Sequence, residues 1–135
     1  MRCQSRSNCS SSIQYGLAIA VSGASGLVGS ELVPTLERNG YEVLRLVRRA
    51  PGAQCEVRWD PEGGTIDRAG LQGVTGVIHL AGDNVASGRW TEAKKARIRS
   101  SRVQGTALLA GALAELSPKP RVLVSASAIG YYGVR

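Results

Sequence analysis

Residues 18–29, AIAVSGASGLVG, decide how the chain is read. A short apolar run, Leu17 to Val21, enters glycines at 23, 26 and 29, and Leu27-Val28 then open an apolar-periodic segment. Strand, glycine turn and helix start, in that order, make a phosphate cradle. Gly23 permits a tight turn, Gly26 lets backbone approach a pyrophosphate, and Gly29 lets the helix pack close on the strand. The first free N–H groups of the helix point at the anion. The spacing is G-x-x-G-x-x-G, not the G-x-G-x-x-G of most dehydrogenases. A glycine turn also joins strand to helix without any ligand, so the flanking chain has to carry the reading.

Outward from that turn, the first strand is read as Leu17 to Ser22 and the first helix as about Leu27 to Arg38, stopped by Asn39-Gly40. Pro34 falls inside this helix, which predicts a bend or a late first turn. A second strand spans Tyr41 to Val47, a third Cys55 to Trp59, and a fourth is the continuous apolar run Val74 to Ala81. After a polar loop, Thr91 is the expected N-cap of a long helix reaching about Leu116. The small residues Ala96, Ser100, Val103, Ala107, Ala110 and Ala114 step by fours and threes, a stripe expected to lie on a sheet. Lys94, Lys95, Arg97, Arg99 and Arg102 fall mostly off it, as a solvated face. Pro118 and Pro120 end the helix, and a fifth strand covers Arg121 to Ser125. Apolar strands with helical crossovers predict an α/β fold: a Rossmann-like, doubly wound parallel sheet.

With 135 residues the chain suffices for one small domain, and no apolar run reaches the ~18 residues of a membrane span. Residues 1–15 hold five serines, two arginines and no acid, the composition of a disordered leader. That leader is either irrelevant to the fold or an organelle-targeting segment; the chain is otherwise placed in the cytoplasm. Residues 16–135 form the globular part. The net charge of +7 admits nucleic acid, an anionic surface or an anionic cofactor. The bases lie in three separate places without interleaved aromatics, which argues against a nucleic-acid platform. Cys3, Cys9 and Cys55 fit no zinc spacing, read as free thiols, and no metal is expected.

The end of the second strand selects the cofactor. A carboxylate about 20 residues past the glycines would hold a ribose 2′-hydroxyl. Glu42 has that count but starts its strand, whereas ligands sit at carboxyl ends, here Val47-Arg48-Arg49. A guanidinium there binds a 2′-phosphate, so NADP is favoured over NAD; the alternative is a solvated arginine pair. The fourth strand ends in His79-Leu80-Ala81-Gly82, small enough for backbone to pass the nicotinamide-side ribose, or simply a tight turn. His79, among apolar neighbours, reads as a buried hydrogen-bonded histidine rather than a base. Ser125-Ala126-Ser127 places hydroxyls at the carboxyl end of the fifth strand, where one could meet a substrate oxygen.

GASGLVG, HLAG, SRVQGTALL and LVSASAIGYYG together resemble the short-chain dehydrogenase/reductase superfamily in its extended, epimerase-like branch. RWDPEGG, IHLAGDNVASGRWTEAKKARIRSSRV and SASAIGYYG narrow the resemblance to the atypical epimerase-family oxidoreductases, over about residues 17–134. The resemblance implies pyrophosphate contacts from Gly23, Ser25, Gly26, Leu27 and Val28, and an adenosine-phosphate contact from Arg48. It implies a ribose lining of Leu80, Ala81 and Gly82, and Ser127 as the active-site serine. It also implies hydride transfer on a sugar-like alcohol or carbonyl, with NADP as cofactor.

One departure matters. The superfamily's Tyr-x-x-x-Lys pair supplies a general acid/base and the lysine that lowers its pKa. Tyr131 and Tyr132 are followed by no lysine. The chain therefore reads as the N-terminal part of a Rossmann domain, five strands without the C-terminal strands and substrate domain, inactive alone. A non-enzymatic NADP-binding regulatory module is the alternative, and a basic nucleic-acid-binding domain a weaker one. The fifth strand would be a sheet edge, with Val77, Leu80, Val122 and Val124 exposing an apolar patch open to self-association or to pairing with the missing C-terminal part.

Overall fold

The computed structural model describes residues 18–85 and 88–127. The leader and Tyr131-Tyr132 lie outside the described residues. The elements are β1 (Ala18–Ser22), α1 (Leu27–Arg38), β2 (Glu42–Val47), β3 (Glu56–Asp60), β4 (Thr65–Ile66), β5 (Gly76–His79), α2 (Glu92–Ala114) and β6 (Val122–Ser125), with a 3₁₀ turn at Ala69–Leu71. They form one sheet of order β4-β3-β2-β1-β5-β6, parallel except where β4 pairs antiparallel with β3. The sheet thus has six strands rather than five. The extra one is two residues long, too short for any alternation to announce it. It forms because the Asp60 carboxylate accepts the amides of Glu62 and Gly63 and turns the chain back on β3.

Alternation along the central strands divides the core. Ala20, Leu44, Leu46, Val57, Trp59 and Val77 face α2 and meet Leu109, Leu113 and Leu116. Val21 and Val43 face α1 and meet Val33, with Ile19, Ile78 and Leu80 beside them. The register explains the split: Ala20 stands between Leu44 and Val77, and Val21 between Arg45 and Ile78. With one helix on each face, the sheet is doubly wound as expected.

Several local expectations meet the structure directly. Thr91 caps α2, its Oγ1 accepting the Lys94 amide at 3.1 Å. Helix α1 begins at Leu27 without delay and runs continuously through Pro34. The ring nitrogen there has no hydrogen to give to the Ser30 carbonyl, a local cost that packing of Val33 against the sheet offsets.

Two packing expectations are corrected. The small-residue stripe does not lie on the sheet: Ala96, Ser100, Val103, Ala107, Ala110 and Ala114 are all exposed. The buried residues of α2 are Lys94, Gly105, Leu109, Ala112 and Leu113, because a leucine removes far more apolar surface from water than an alanine. Lys94 is therefore not on a solvated face. Val77 is fully buried under α2 and is no part of an exposed patch, and Leu80 is half-buried. The patch that does exist is Val122, Leu123 and Val124 of β6, each 39–53% exposed.

Candidate functional site

The chain order reverses between β1 and β5, and a crevice opens there at the carboxyl ends of the strands, where open α/β sheets take their ligands. It is a cleft of about 1490 Å³, above the roughly 300–1,000 Å³ of common small-molecule sites. One wall is the glycine turn and the Leu80–Gly82 segment; Arg48 and Arg49 stand at the end of β2.

The three glycines of the turn have different reasons to be glycine. Gly23 has φ +73°, and a Cβ there would lie 2.8 Å from the Ala81 amide nitrogen. A Cβ on Gly29 would lie 2.2 Å from the Gly23 carbonyl oxygen and 2.7 Å from Ala24 Cα. Both are demanded by the fold itself. Gly26 is different: its φ of −75° suits any residue, and a Cβ would approach only the Gly23 oxygen, at 3.3 Å. Space on its open side lies toward the cleft. The first helical hydrogen bond runs from the Ser30 amide to the Gly26 carbonyl, so the amides of Leu27, Val28 and Gly29 precede the helix ladder. No acidic residue occupies that first turn. An open cradle, a helix N-terminus and no internal anion are a donor set fitted to a pyrophosphate.

At the floor, His79 and Ser22 are register partners on β5 and β1. Ser22 Oγ lies 2.6 Å from His79 Nδ1 and accepts the Ala81 amide at 3.3 Å. His79 is 3% exposed and stands edge-on to Trp59 at 5.8 Å. Burial, and then the Arg102 charge, hold its pKa below the ordinary histidine value. It is a neutral structural histidine that pins the Gly23 turn to the Leu80–Gly82 segment, as the sequence suggested. The Arg102 guanidinium lies over Gly82, 2.9 Å from where a Cβ would be.

Of the residues singled out from sequence, Gly23, Ser25, Gly26, Arg48, Leu80, Ala81 and Gly82 come together around this cleft. Leu27 and Val28, which the sequence reading had also singled out, are not among the lining residues; their side chains are exposed at the start of α1. Ser127 is not among the lining residues; it is exposed beyond the end of β6, on the same carboxyl rim. Three features were missed. The far wall is Ala96, Arg97, Ser100, Ser101 and Gln104 of α2, a face legible only as i, i+4 spacing. Trp59, Pro61 and Glu62 line the cleft from the end of β3. Arg49 is paired with Glu56, which no local spacing reveals. Among the described residues no group of His, Cys, Asp and Glu could hold a metal, Cys55 is buried and in no disulfide, and no helix is long and apolar enough to cross a membrane.

Residues 19–134 match the model of the NAD dependent epimerase/dehydratase family. An epimerase family protein of Mycobacterium bovis is 43% identical over 115 residues, 85% of this chain and 38% of that protein. The chain thus spans about two fifths of the length of the curated relatives it matches. Human epimerase family protein SDR39U1, solved with NADPH, superposes with a TM-score of 0.72 at 27% identity, over 88% of this chain and 39% of that one. A nucleoside-diphosphate sugar epimerase from Corynebacterium glutamicum superposes with a TM-score of 0.70 at 38% identity, over 87% of this chain and 24% of that one.

Proposed function

The chain belongs to the NAD dependent epimerase/dehydratase family, and on that premise we propose that it is the NADP(H)-binding part of an epimerase-like oxidoreductase acting on a sugar-like alcohol or carbonyl. The observation that carries this reading is Gly26, a cradle position of ordinary φ where a Cβ would press on the Gly23 carbonyl oxygen alone, in one cleft with Arg48. Gly23, Ser25 and Gly26 would hold the pyrophosphate with the amides of Leu27 and Val28. Arg48 would take the 2′-phosphate, and Leu80, Ala81 and Gly82 would flank the ribose. When bound, the nicotinamide supplies a hydride donor or acceptor. Ser127 would position the substrate oxygen from the rim of β6. Because these 135 residues contain no Tyr-x-x-x-Lys pair, the chain by itself is expected not to turn over. A cytoplasmic setting is proposed, or an organelle if the leader is a targeting segment. Nucleic acid is disfavoured by charge pairing: Arg45, Arg49, Arg68, Lys95 and Arg97 each have a carboxylate partner.

Titration with NADPH and NADH tests the reading. NADPH should bind at least tenfold tighter, about 1.4 kcal/mol. Gly26→Val should abolish binding of both while circular dichroism stays unchanged. Indistinguishable titrations for the two cofactors remove the phosphate argument, and normal binding by the valine variant makes the turn purely structural.

A further inference from the structure

Two arginines follow β2 in sequence, and the structure gives them different work. Arg49 Nη1 and Nη2 donate to Glu56 Oε2 and Oε1 at 2.9 and 2.5 Å, a two-pronged fork. The same guanidinium donates to the Ala50 carbonyl at 3.0 Å, and Glu56 Oε2 also accepts the Gly52 amide at 2.7 Å. The Glu56 side chain is only 10% exposed, while Arg49 is 62% exposed and lies on the cleft side. The Arg49 fork, with the Gly52 amide, holds the Glu56 carboxyl below the usual carboxylate range, so the pair is ionised at any working pH. Arg45, register partner of Glu56, is likewise compensated by Glu37 at 3.2 Å. Among the described residues at this end of β2, Arg48 is the cation without a carboxylate partner.

We propose that Glu56 is a specificity-determining residue for the cofactor: by neutralising Arg49, it limits recognition of the 2′-phosphate to the single charge of Arg48. This rests on the NADP(H) reading above. The physical case is one of charge. A guanidinium already forked to a carboxylate has its best donors occupied, and its field is cancelled at the distance of a ligand. Removing the Glu56 charge at constant shape frees that second guanidinium and so raises phosphate preference. The change does not act on a cofactor that lacks the 2′-phosphate, so the quantity to follow is the ratio of NADH to NADPH dissociation constants. Any loss common to both cofactors cancels in it.

The experiment is a charge cycle on the full chain, with both cofactors titrated at low and moderate salt. Glu56→Gln should raise the ratio about tenfold and steepen its fall with salt. Arg49→Gln, which leaves Glu56 uncompensated, should lower the ratio several-fold. The double variant restores the original net charge and should return within about twofold of the unmodified chain. Arg48→Gln should bring the ratio near one. If Glu56→Gln does not fold, Arg49→Gln and the double variant decide: a fall in the first and recovery in the second support the proposal. Ratios unchanged in both single variants while NADPH still binds overturn it and leave the NADP(H) reading standing. Failure of the unmodified chain to bind NADPH overturns both.

Discussion

β1 and β6 are both short, apolar and parallel, and their surroundings differ completely. In β1, Ala20 and Val21 are fully buried, with strands on either side and a helix on each face. In β6, the run Val122-Leu123-Val124 is 53%, 39% and 52% exposed, although it is hydrogen-bonded along β5 in regular register. The backbone ladder alone therefore does not bury a strand; helices and a second neighbour do. The consequence for function is an asymmetry. The part of the cleft at β1, where the glycine turn and Arg48 lie, is packed and supported by the described residues. The rim at β6, where Ser127 lies, is not.

The contrast is broken most severely at Gly29, against the end of β1. Its Cβ would overlap backbone atoms on the Gly23–Ala24 segment, which cannot move like a flexible side chain. Gly29→Ala should cost about 3 kcal/mol or more in a denaturant titration, at the large end for one methyl group. A loss under about 1 kcal/mol would show that turn and helix are less tightly docked.

A matched pair of valines sharpens it. Val77 of β5 and Val124 of β6 lie on adjacent paired strands, one fully buried and one half exposed. Val77→Ala should cost about 2 kcal/mol, while Val124→Ala should stay within about 0.5 kcal/mol. Val122→Lys with Val124→Lys should reduce self-association of the chain in sedimentation, since charge on an open edge opposes strand pairing. Equal costs at Val77 and Val124 would mean that β6 is covered in solution.

The smallest effect is a pH dependence at His79, on the central side of the comparison. Its folded pKa lies below its unfolded value, so the unfolded chain takes up the proton more readily. Stability from this group is complete above the unfolded value of about 6.5 and falls as pH drops through 6.5 toward the depressed folded value. His79→Asn should flatten the slope of stability against pH in that window. An unchanged slope would assign it to other groups.

Local signals carried much of the fold. The strand–glycine–helix order, the Thr91 cap and the burial of His79 are all legible because each depends on neighbours a few residues apart or on one uninterrupted apolar run. One wall of the cleft was legible for the same reason: Gly23 to Gly26 and Leu80 to Gly82 are contiguous segments at strand ends. Its far wall was not, since Ala96, Ser100 and Gln104 acquire meaning only when α2 is docked across the sheet.

By itself, then, the sequence determined where all but the shortest strand and both helices run and where the glycine turn between β1 and α1 falls. Steric freedom at glycine and apolar periodicity act over a few residues. The tertiary structure alone decided which side of α2 is buried, that Val77 is covered while Val124 is not, and that Arg49 is compensated while Arg48 has no carboxylate partner among the described residues. A helix that is nearly even around its circumference is oriented by where its leucines find the most apolar surface to remove from water, here Leu109 and Leu113, with Leu116 just past the helix end, against Leu44, Val57 and Trp59. Arg48 and Arg49 are the same residue type side by side; only the fold of β3 beside β2 brings Glu56 to one of them and not to the other.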